Sequence, residues 1–420
     1  MNLPSNLDII KKRRTPILVA CAALMFFLGQ IYAFSMFASP IVNTFLLDRA
    51  AVAITFNIIM ICFCLGGLIS APIIKKLSIS ATLFIAGIVF FCGFTITATL
   101  GHLGIGSIYL GLGVISGLGC GIGYNTIVTT CNLWFPDKPG FCSGVLMMAF
   151  SLSALLLGTL AVSLMGTYGL PVVFMGIASL SLFAAAIAGV FLKRPPATHV
   201  ASNNAEGAAS NSAPKSQAAS AKITEVRQKP WAMPIFWIYF AWCVLTQATG
   251  VVVIGNVAAD SQLLGINAAI ATTLVGVVAL CNGLARIVFG MIFDKTSQAT
   301  VMTIGSALAI CACILIFAGF FTGITACYLV GIFMCVFSYG ACPVLSSTFA
   351  RTEFNIQDFP RNLAMINLAV AVASFSGIIV QTALVNHEAG RIVVYITFGA
   401  FAICGALLLL PFKRQHKNKA

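Results

Sequence analysis

The sequence predicts an all-α membrane protein, with twelve transmembrane helices in two pseudo-symmetric six-helix bundles. Three observations predict it. Of the 420 residues, 60% are hydrophobic and 8% are charged, against about 25% charged in an average soluble domain, so the chain lacks the polar surface that a water-soluble fold of this size needs. The apolar residues fall into twelve continuous runs, each near the roughly 20 residues that carry a helix across a hydrocarbon core of about 30 Å. With the N-terminus placed inside, every Lys and Arg except Arg49, Arg286 and Arg391 falls on the cytoplasmic side, the asymmetry of the positive-inside rule. The net charge of +13 is therefore a topology signal rather than a nucleic-acid signal. A soluble enzyme, a disordered chain and a nucleic-acid partner are all excluded on this reading.

Each element follows in order. Residues 1–15 read as a cytoplasmic tail ending in Lys11-Lys12-Arg13-Arg14. The apolar run behind it is too long for a signal-peptide core and lacks a small-residue cleavage site, so the first span is expected to be retained. Spans near 16–38, 52–74, 81–100, 107–130, 141–165 and 170–192 make a first bundle over 16–192. The runs are continuous rather than alternating, which reads as helix, and a helix satisfies its own backbone in lipid. Residues 193–230 are rich in Ala, Ser, Asn, Lys and Pro, a composition that cannot bury a core and predicts a flexible cytoplasmic linker. Spans near 232–257, 267–293, 299–320, 323–348, 363–385 and 391–411 make a second bundle over 231–411, and 412–420 form a basic cytoplasmic tail. The halves echo one another. Ala71-Pro72-Ile73-Ile74-Lys75-Lys76-Leu77-Ser78 follows the second span, and Gly290-Met291-Ile292-Phe293-Asp294-Lys295-Thr296-Ser297 follows the eighth, 219 residues on. Matching basic turns fit two duplicated bundles around a central cavity. The 15 cysteines lie in or beside the apolar runs without a CxxC spacing and read as small buried hydrophobes, with no metal or cofactor expected.

The charge pattern inside the spans points to function. No Asp, Glu or Lys falls in the middle of a run; Asp48 and Asp260 are expected at outer span ends. Arg286 is the one charge at depth, eight residues before Asp294 and so about 12 Å from the cytoplasmic end of its helix. Such a charge costs about 2.5–3.5 kcal/mol on insertion scales, and arginine does not shed its proton to escape that cost. It needs an anion or a wet cavity. A small carboxylate held by the planar guanidinium fork is the natural partner; a structural Arg bonded to carbonyls of a broken helix, or one snorkelling to the cytoplasm, is the alternative. Asn282 shares its helix face and either orients it, meets substrate or bonds another helix. The fourth span carries three overlapping GxxxG pairs, Gly113/Gly117, Gly117/Gly121 and Gly119/Gly123, which favour close helix packing. Tyr124 closes that glycine run and is expected to face the cavity, with Asn125 beside it. Tyr32, Ser35 and Met36 share a face of the first span, whereas Gln30 and Tyr32 point about 200° apart on an α-helix. Gln30, Ser35, Asn125, Gln247, Tyr339 and Asn367 are the further candidate cavity residues; Tyr239, Asn256 and Gln381 are other polar groups at depth, each as suited to bonding helices together.

These residues also resemble a known family. Gly29-Gln30-Ile31-Tyr32-Ala33-Phe34-Ser35-Met36-Phe37, Gly119-Cys120-Gly121-Ile122-Gly123-Tyr124-Asn125 with Trp134-Phe135-Pro136-Asp137-Lys138, Phe236-Trp237 with Gly250 and Ile254-Gly255, and Asn282-Gly283-x-x-Arg286-x-x-x-Gly290 with Asp294-Lys295 are similar to the span signatures of the oxalate/formate antiporter family. That family belongs to the major facilitator superfamily and is similar to monocarboxylate carriers. The resemblance implies a twelve-helix rocker-switch carrier of small carboxylates, with Arg286 as the anion ligand and Tyr32 and Tyr124 lining the site. Oxalate carriers of the family place a lysine in span eleven; here that position falls near Val370, which favours a monoanion such as a short monocarboxylate. Transport by exchange with a counter-anion, or of an anion together with a proton, stays open. The expected protein is a monomer in the cell (inner) membrane, with both termini cytoplasmic, the lipid bilayer as its setting and no enzymatic activity. An exporter of neutral or cationic compounds, and a non-transporting sensor, are the competing readings.

Overall fold

The protein was analysed as a computed structural model, which describes residues 6–193, 195, 230–384 and 390–417. It is all-helical among those residues. Eleven of its helices are long and apolar enough to cross a membrane. The predicted eleventh span coincides with the 26-residue helix Phe359–Leu384, part of whose side chains lie outside the described residues. Of the predicted linker 193–230, only residues 193, 195 and 230 are described, so that expectation lies almost wholly outside them.

Numbered as the predicted spans, the helices start and stop for local reasons. Span 1 is broken: Asn6–Leu28 passes into a 3₁₀ turn, Gly29–Ala33, and then Phe34–Phe45. The expected continuous α-helix is thus interrupted where Tyr32 sits. Span 2, Arg49–Lys76, is capped by Asp48, whose carboxylate accepts from Ala51 N–H at 2.8 Å. Span 3 is Ile79–Leu100, capped by Ser78. Span 4 runs through Ile105–Ile108, a π-helical stretch Tyr109–Ile115 and Ser116–Asn132. Span 5 opens on Pro139, a residue suited to a helix start because its missing N–H is unneeded there; Pro139–Ser153 continues as a π-helical stretch Ala154–Gly158 and then Thr159–Tyr168. Span 6 is Leu170–Phe191. The second half contains span 7, Pro234–Leu263; span 8, Ala268–Lys295; span 9, Gln298–Thr322; span 10, Thr325–Thr352; span 11, Phe359–Leu384; and span 12, Gly390–Leu407, which a short basic helix, Leu409–Lys417, follows. Ser297 caps span 9 as Ser78 caps span 3, each accepting from the amide three residues on. The two echoing turns are therefore alike in geometry as well as in sequence.

Within the first half, span 3 packs on span 6, and span 2 on span 4; within the second, span 9 packs on span 10, and span 7 on span 11. The glycine run of span 4 does the packing its spacing suggests. A Cβ at Gly121 would collide with the Phe63 carbonyl of span 2, and one at Gly119 would lie 2.5 Å from Phe90 N of span 3. The halves meet along two seams, span 5 against span 8 and span 2 against span 11.

Those seams are tied at the basic end of the molecule. Lys75 Nζ pairs with Asp358 just before span 11 at 2.9 Å. At the matching place of the other half, the Asp294 carboxylate accepts from Gly140 N–H (2.7 Å) and Phe141 N–H (2.8 Å) at the start of span 5. The duplicated turns thus make duplicated crossings with opposite charge. An anion at a helix N-terminus answers its free amides and dipole, so Asp294 is suited to its place. Arg351 Nη1 donates to Asn132 O (2.7 Å) and Phe135 O (3.3 Å), and Ser143 Oγ donates to Ser347 Oγ at 3.0 Å. Gly140 and Gly290 approach backbone to backbone, with no room for a Cβ on either.

Candidate functional site

A small cavity lies between the halves, lined by Tyr32, Phe63, Tyr124, Phe150, Gln247, Arg286, Pro343, Asn367 and Val370. Its two walls differ in chemistry. The first half supplies rings: Tyr32 meets Phe150 edge-on at 5.2 Å, Tyr124 meets Phe150 at 5.4 Å and Phe63 meets Tyr124 at 5.1 Å. Edge-to-face packing of this kind locks the rings against one another. The second half supplies Gln247 of span 7, Arg286 of span 8, Pro343 of span 10, and Asn367 and Val370 of span 11.

Arg286 is 2% exposed. Its Nη1 donates to the Met147 carbonyl of span 5 at 2.7 Å, so the carbonyl-bonded alternative is realised for one of its donors. That carbonyl comes within reach because Gly144, one turn earlier, lets span 5 lie directly on span 8; a Cβ there would stand 2.6 Å from Arg286 O. The rest of the fork is unfinished. Nε has no hydrogen-bond partner among the described residues, and no carboxylate among them pairs with the guanidinium. Tyr32, Tyr124 and Tyr339 interact with its charge, and Gln247 and Asn367 share the cavity lining with it. Buried donors are nearly always satisfied in native proteins, and no described residue satisfies this one.

The candidate residues divide by position. Arg286, Tyr32, Tyr124, Gln247 and Asn367 line the cavity. Tyr339 stands beside it, interacting with Tyr32 across the two halves and leaning on span 7 where Gly250 leaves space for its ring. Asn282 lies away from the lining, packed against Gly340 of span 10, and its Oδ1 accepts from no described residue. Gln30 points elsewhere and bonds span 5 through Ser153 Oγ at 3.1 Å. Asn125 belongs to the seam at the basic end, where its Nδ2 reaches Ser70 Oγ (2.7 Å), Gly67 O (3.0 Å) and Pro360 O (2.9 Å). The side chains of Ser35 and Gln381 lie outside the described residues. Sequence reasoning missed Phe63, Phe150 and Pro343 as lining, because nothing local distinguishes them from other apolar residues of a span. It also missed the span 5 crossing, for which Gly140-x-x-x-Gly144 was a usable signal.

Asp260 lies at an end of span 7, in the last turn of its helix, and is fully buried. Tyr395 donates to its carboxylate, Arg391 Nε stands 3.1 Å from it, and Arg391 Nη1 donates to Asn256 Oδ1 at 3.2 Å. This cluster joins span 7 to span 12.

Comparison with known proteins places the whole arrangement. Residues 18–357 match the family model described as Major Facilitator Superfamily, and the chain belongs to that superfamily. It is 23% identical over 374 residues to YhjX of Escherichia coli (strain K12), named as an uncharacterized MFS-type transporter, covering 88% of this chain and 87% of that one. It is 23% identical over 282 residues to the oxalate:formate antiporter of Oxalobacter formigenes, covering 66% and 62%. Among solved structures it is similar to the proton:xylose symporter XylE bound to 6-bromo-6-deoxy-D-glucose, with a TM-score of 0.76, 14% identity and 96% of each chain covered. It is also similar to a bacterial homologue of the iron transporter ferroportin in an outward-facing state, with a TM-score of 0.70, 13% identity and 96% and 99% covered.

Proposed function

We propose that this major facilitator superfamily transporter carries small organic anions, a short monocarboxylate above all, with Arg286 as the ligand of the carboxylate. The observation that carries the reading is the unfinished guanidinium. A buried cation left one donor short beside a cavity is completed by an anion that comes and goes. The oxalate:formate antiporter relative supports an anionic substrate. Val370, apolar where a second cation would favour a dianion, supports a single negative charge. The ring wall of Tyr32, Phe63, Tyr124 and Phe150 keeps the dielectric low around the ion pair, which strengthens it, and Tyr32 and Tyr124 offer hydroxyls to the same ligand.

Alternating access follows from the two seams. With the basic end tied, the anion reaches Arg286 from the opposite end; release to the basic end requires the Lys75–Asp358 and Asp294–span 5 crossings to part. The lysine and arginine distribution supports a cytoplasmic basic end and cytoplasmic termini, in the cell (inner) membrane. An empty site holds a bare cation, which is costly to move through the apolar barrier, whereas a bound monoanion neutralises it. Loaded cycling, hence exchange or anion entry together with a proton, is favoured over empty return. Purified protein in proteoliposomes tests the reading. Uptake of a labelled short monocarboxylate is expected in the wild type and absent in Arg286→Ala, with the variant still folded in detergent. Full transport by that variant overturns the assignment.

A further inference from the structure

The chain changes character abruptly at the end of span 12. Leu408-Leu409-Leu410-Pro411-Phe412 is wholly apolar, and Lys413-Arg414-Gln415-His416-Lys417 follows at once. Pro411 has no N–H for the carbonyl four residues back, and its ring clashes with that carbonyl. Span 12 accordingly ends at Leu407, and the short helix Leu409–Lys417 begins beyond Leu408. The 18 residues of span 12 make about 27 Å of helix, close to the roughly 30 Å thickness of a hydrocarbon core. The short helix therefore starts where lipid tails give way to headgroups.

One side of that helix belongs to the protein. Leu409 and Phe412 are buried, the Phe412 ring lies 6.2 Å from that of Phe349 in span 10, and the helix packs on spans 7, 9 and 12. The other side is left over. Leu410 is 62% exposed, as is Leu407 at the end of span 12 at 58%. Lys413 and Arg414 are exposed as well, and they follow Leu410 by three and four residues, which places them on its side of the helix. Neither cation pairs with an acid among the described residues, and residues 390–420 of the sequence contain no Asp or Glu.

We propose that Leu409–Lys417 is a lipid-binding element that engages anionic phospholipid headgroups in the leaflet at the basic end of the molecule. Leu407 and Leu410 enter the acyl boundary, and Lys413 and Arg414 take the headgroup phosphates, the division of labour of an interfacial helix. Leu409 and Phe412 pass that hold to the second bundle. The occupant is a bilayer surface rather than a soluble partner because the order along the chain is the order of the layers: a span, then exposed leucines, then cations. The inference stands apart from the anion-carrier reading and from which compartment the basic end faces.

Hydrogen exchange over residues 409–415 tests it, on the full-length protein in nanodiscs of phosphatidylcholine alone or mixed with phosphatidylglycerol. Each cation near an anionic surface is worth roughly fivefold in attraction, so exchange is expected to slow by on the order of tenfold when phosphatidylglycerol is present. The slowing should fade in high salt, which screens exposed charges. A double variant, Lys413→Gln with Arg414→Gln, removes both charges at exposed positions and keeps Leu409 and Phe412; it is expected to exchange equally in the two kinds of disc. Equal rates in the wild type overturn the proposal, as does a phosphatidylglycerol effect that survives in the double variant. Slowing reproduced by inorganic phosphate added to the phosphatidylcholine discs overturns it in favour of a soluble anion. Slowing that requires two copies of the protein in one disc, with either lipid, overturns it in favour of a second copy of this chain.

Discussion

Two arginines in the second half of the molecule, one buried and one partly buried, have opposite surroundings. Arg391 of span 12 is answered by its own chain, with the Asp260 carboxylate at 3.1 Å and Asn256 Oδ1 at 3.2 Å, while Tyr395 donates to the same carboxylate. Arg286 of span 8 has one carbonyl, Met147 O, and an Nε that bonds nothing among the described residues. At Arg391 the chain supplies the counter-charge itself. Arg286, whose fork is left open, is one of the residues lining the cavity.

Substitutions at the two arginines should therefore fail in different ways. The largest effect is expected from Arg286→Ala, which should abolish uptake in proteoliposomes while shifting the detergent melting temperature little. Arg286→Lys should keep the charge but lose the two-pronged geometry and recover only part of the flux. Asp260→Asn comes next. It removes the counter-charge of the partly buried Arg391 and should cost stability, by less than the roughly 3–5 kcal/mol of a fully buried pair, read as a lower melting temperature with transport per folded molecule preserved. If Asp260→Asn instead kills transport in a fully stable protein, the contrast drawn here is broken and Asp260 joins the transport chemistry. A double variant, Asp260→Asn with Arg391→Met, should regain much of the lost stability.

Smaller effects sharpen the picture at the basic end. Asp294→Asn keeps a carbonyl for the span 5 amides but removes the charge, a change of about 1 kcal/mol. Faster hydrogen exchange at Gly140 and Phe141 should report the loosened crossing, with exchange at the span 9 start unaltered. The smallest effect is expected at Arg14–Asp137, an ion pair of partly exposed side chains at 2.8 Å. Arg14→Ala should alter melting and flux within error, since such pairs contribute about 0–1 kcal/mol.

Much of the fold was legible in the chain. The span boundaries, the broken symmetry of charge and the echo of Lys75 and Asp294 are all read from neighbouring residues. The site was legible in part. Arg286 announced itself because a charge in an apolar run is expensive wherever the helix ends up. Asn125 did not, because a carboxamide at depth serves a cavity and a helix seam equally well, and only the approach of Pro360, 235 residues away, puts it in the seam. Ring residues such as Phe150 carry no local mark at all, since packing and lining use the same side chain.

The sequence by itself determined that this protein crosses a membrane many times as helices, and that one guanidinium must be answered at depth. Both are consequences of transfer free energy, which depends on composition along a single helix. Only the tertiary structure decided which groups answer one another: Met147 O with Arg286, Asp260 with Arg391, and the Asp294 carboxylate with the start of span 5. Those pairings join residues more than a hundred positions apart, and hydrogen bonds act over about 3 Å, a distance that no periodicity encodes and only the packing of distant helices sets.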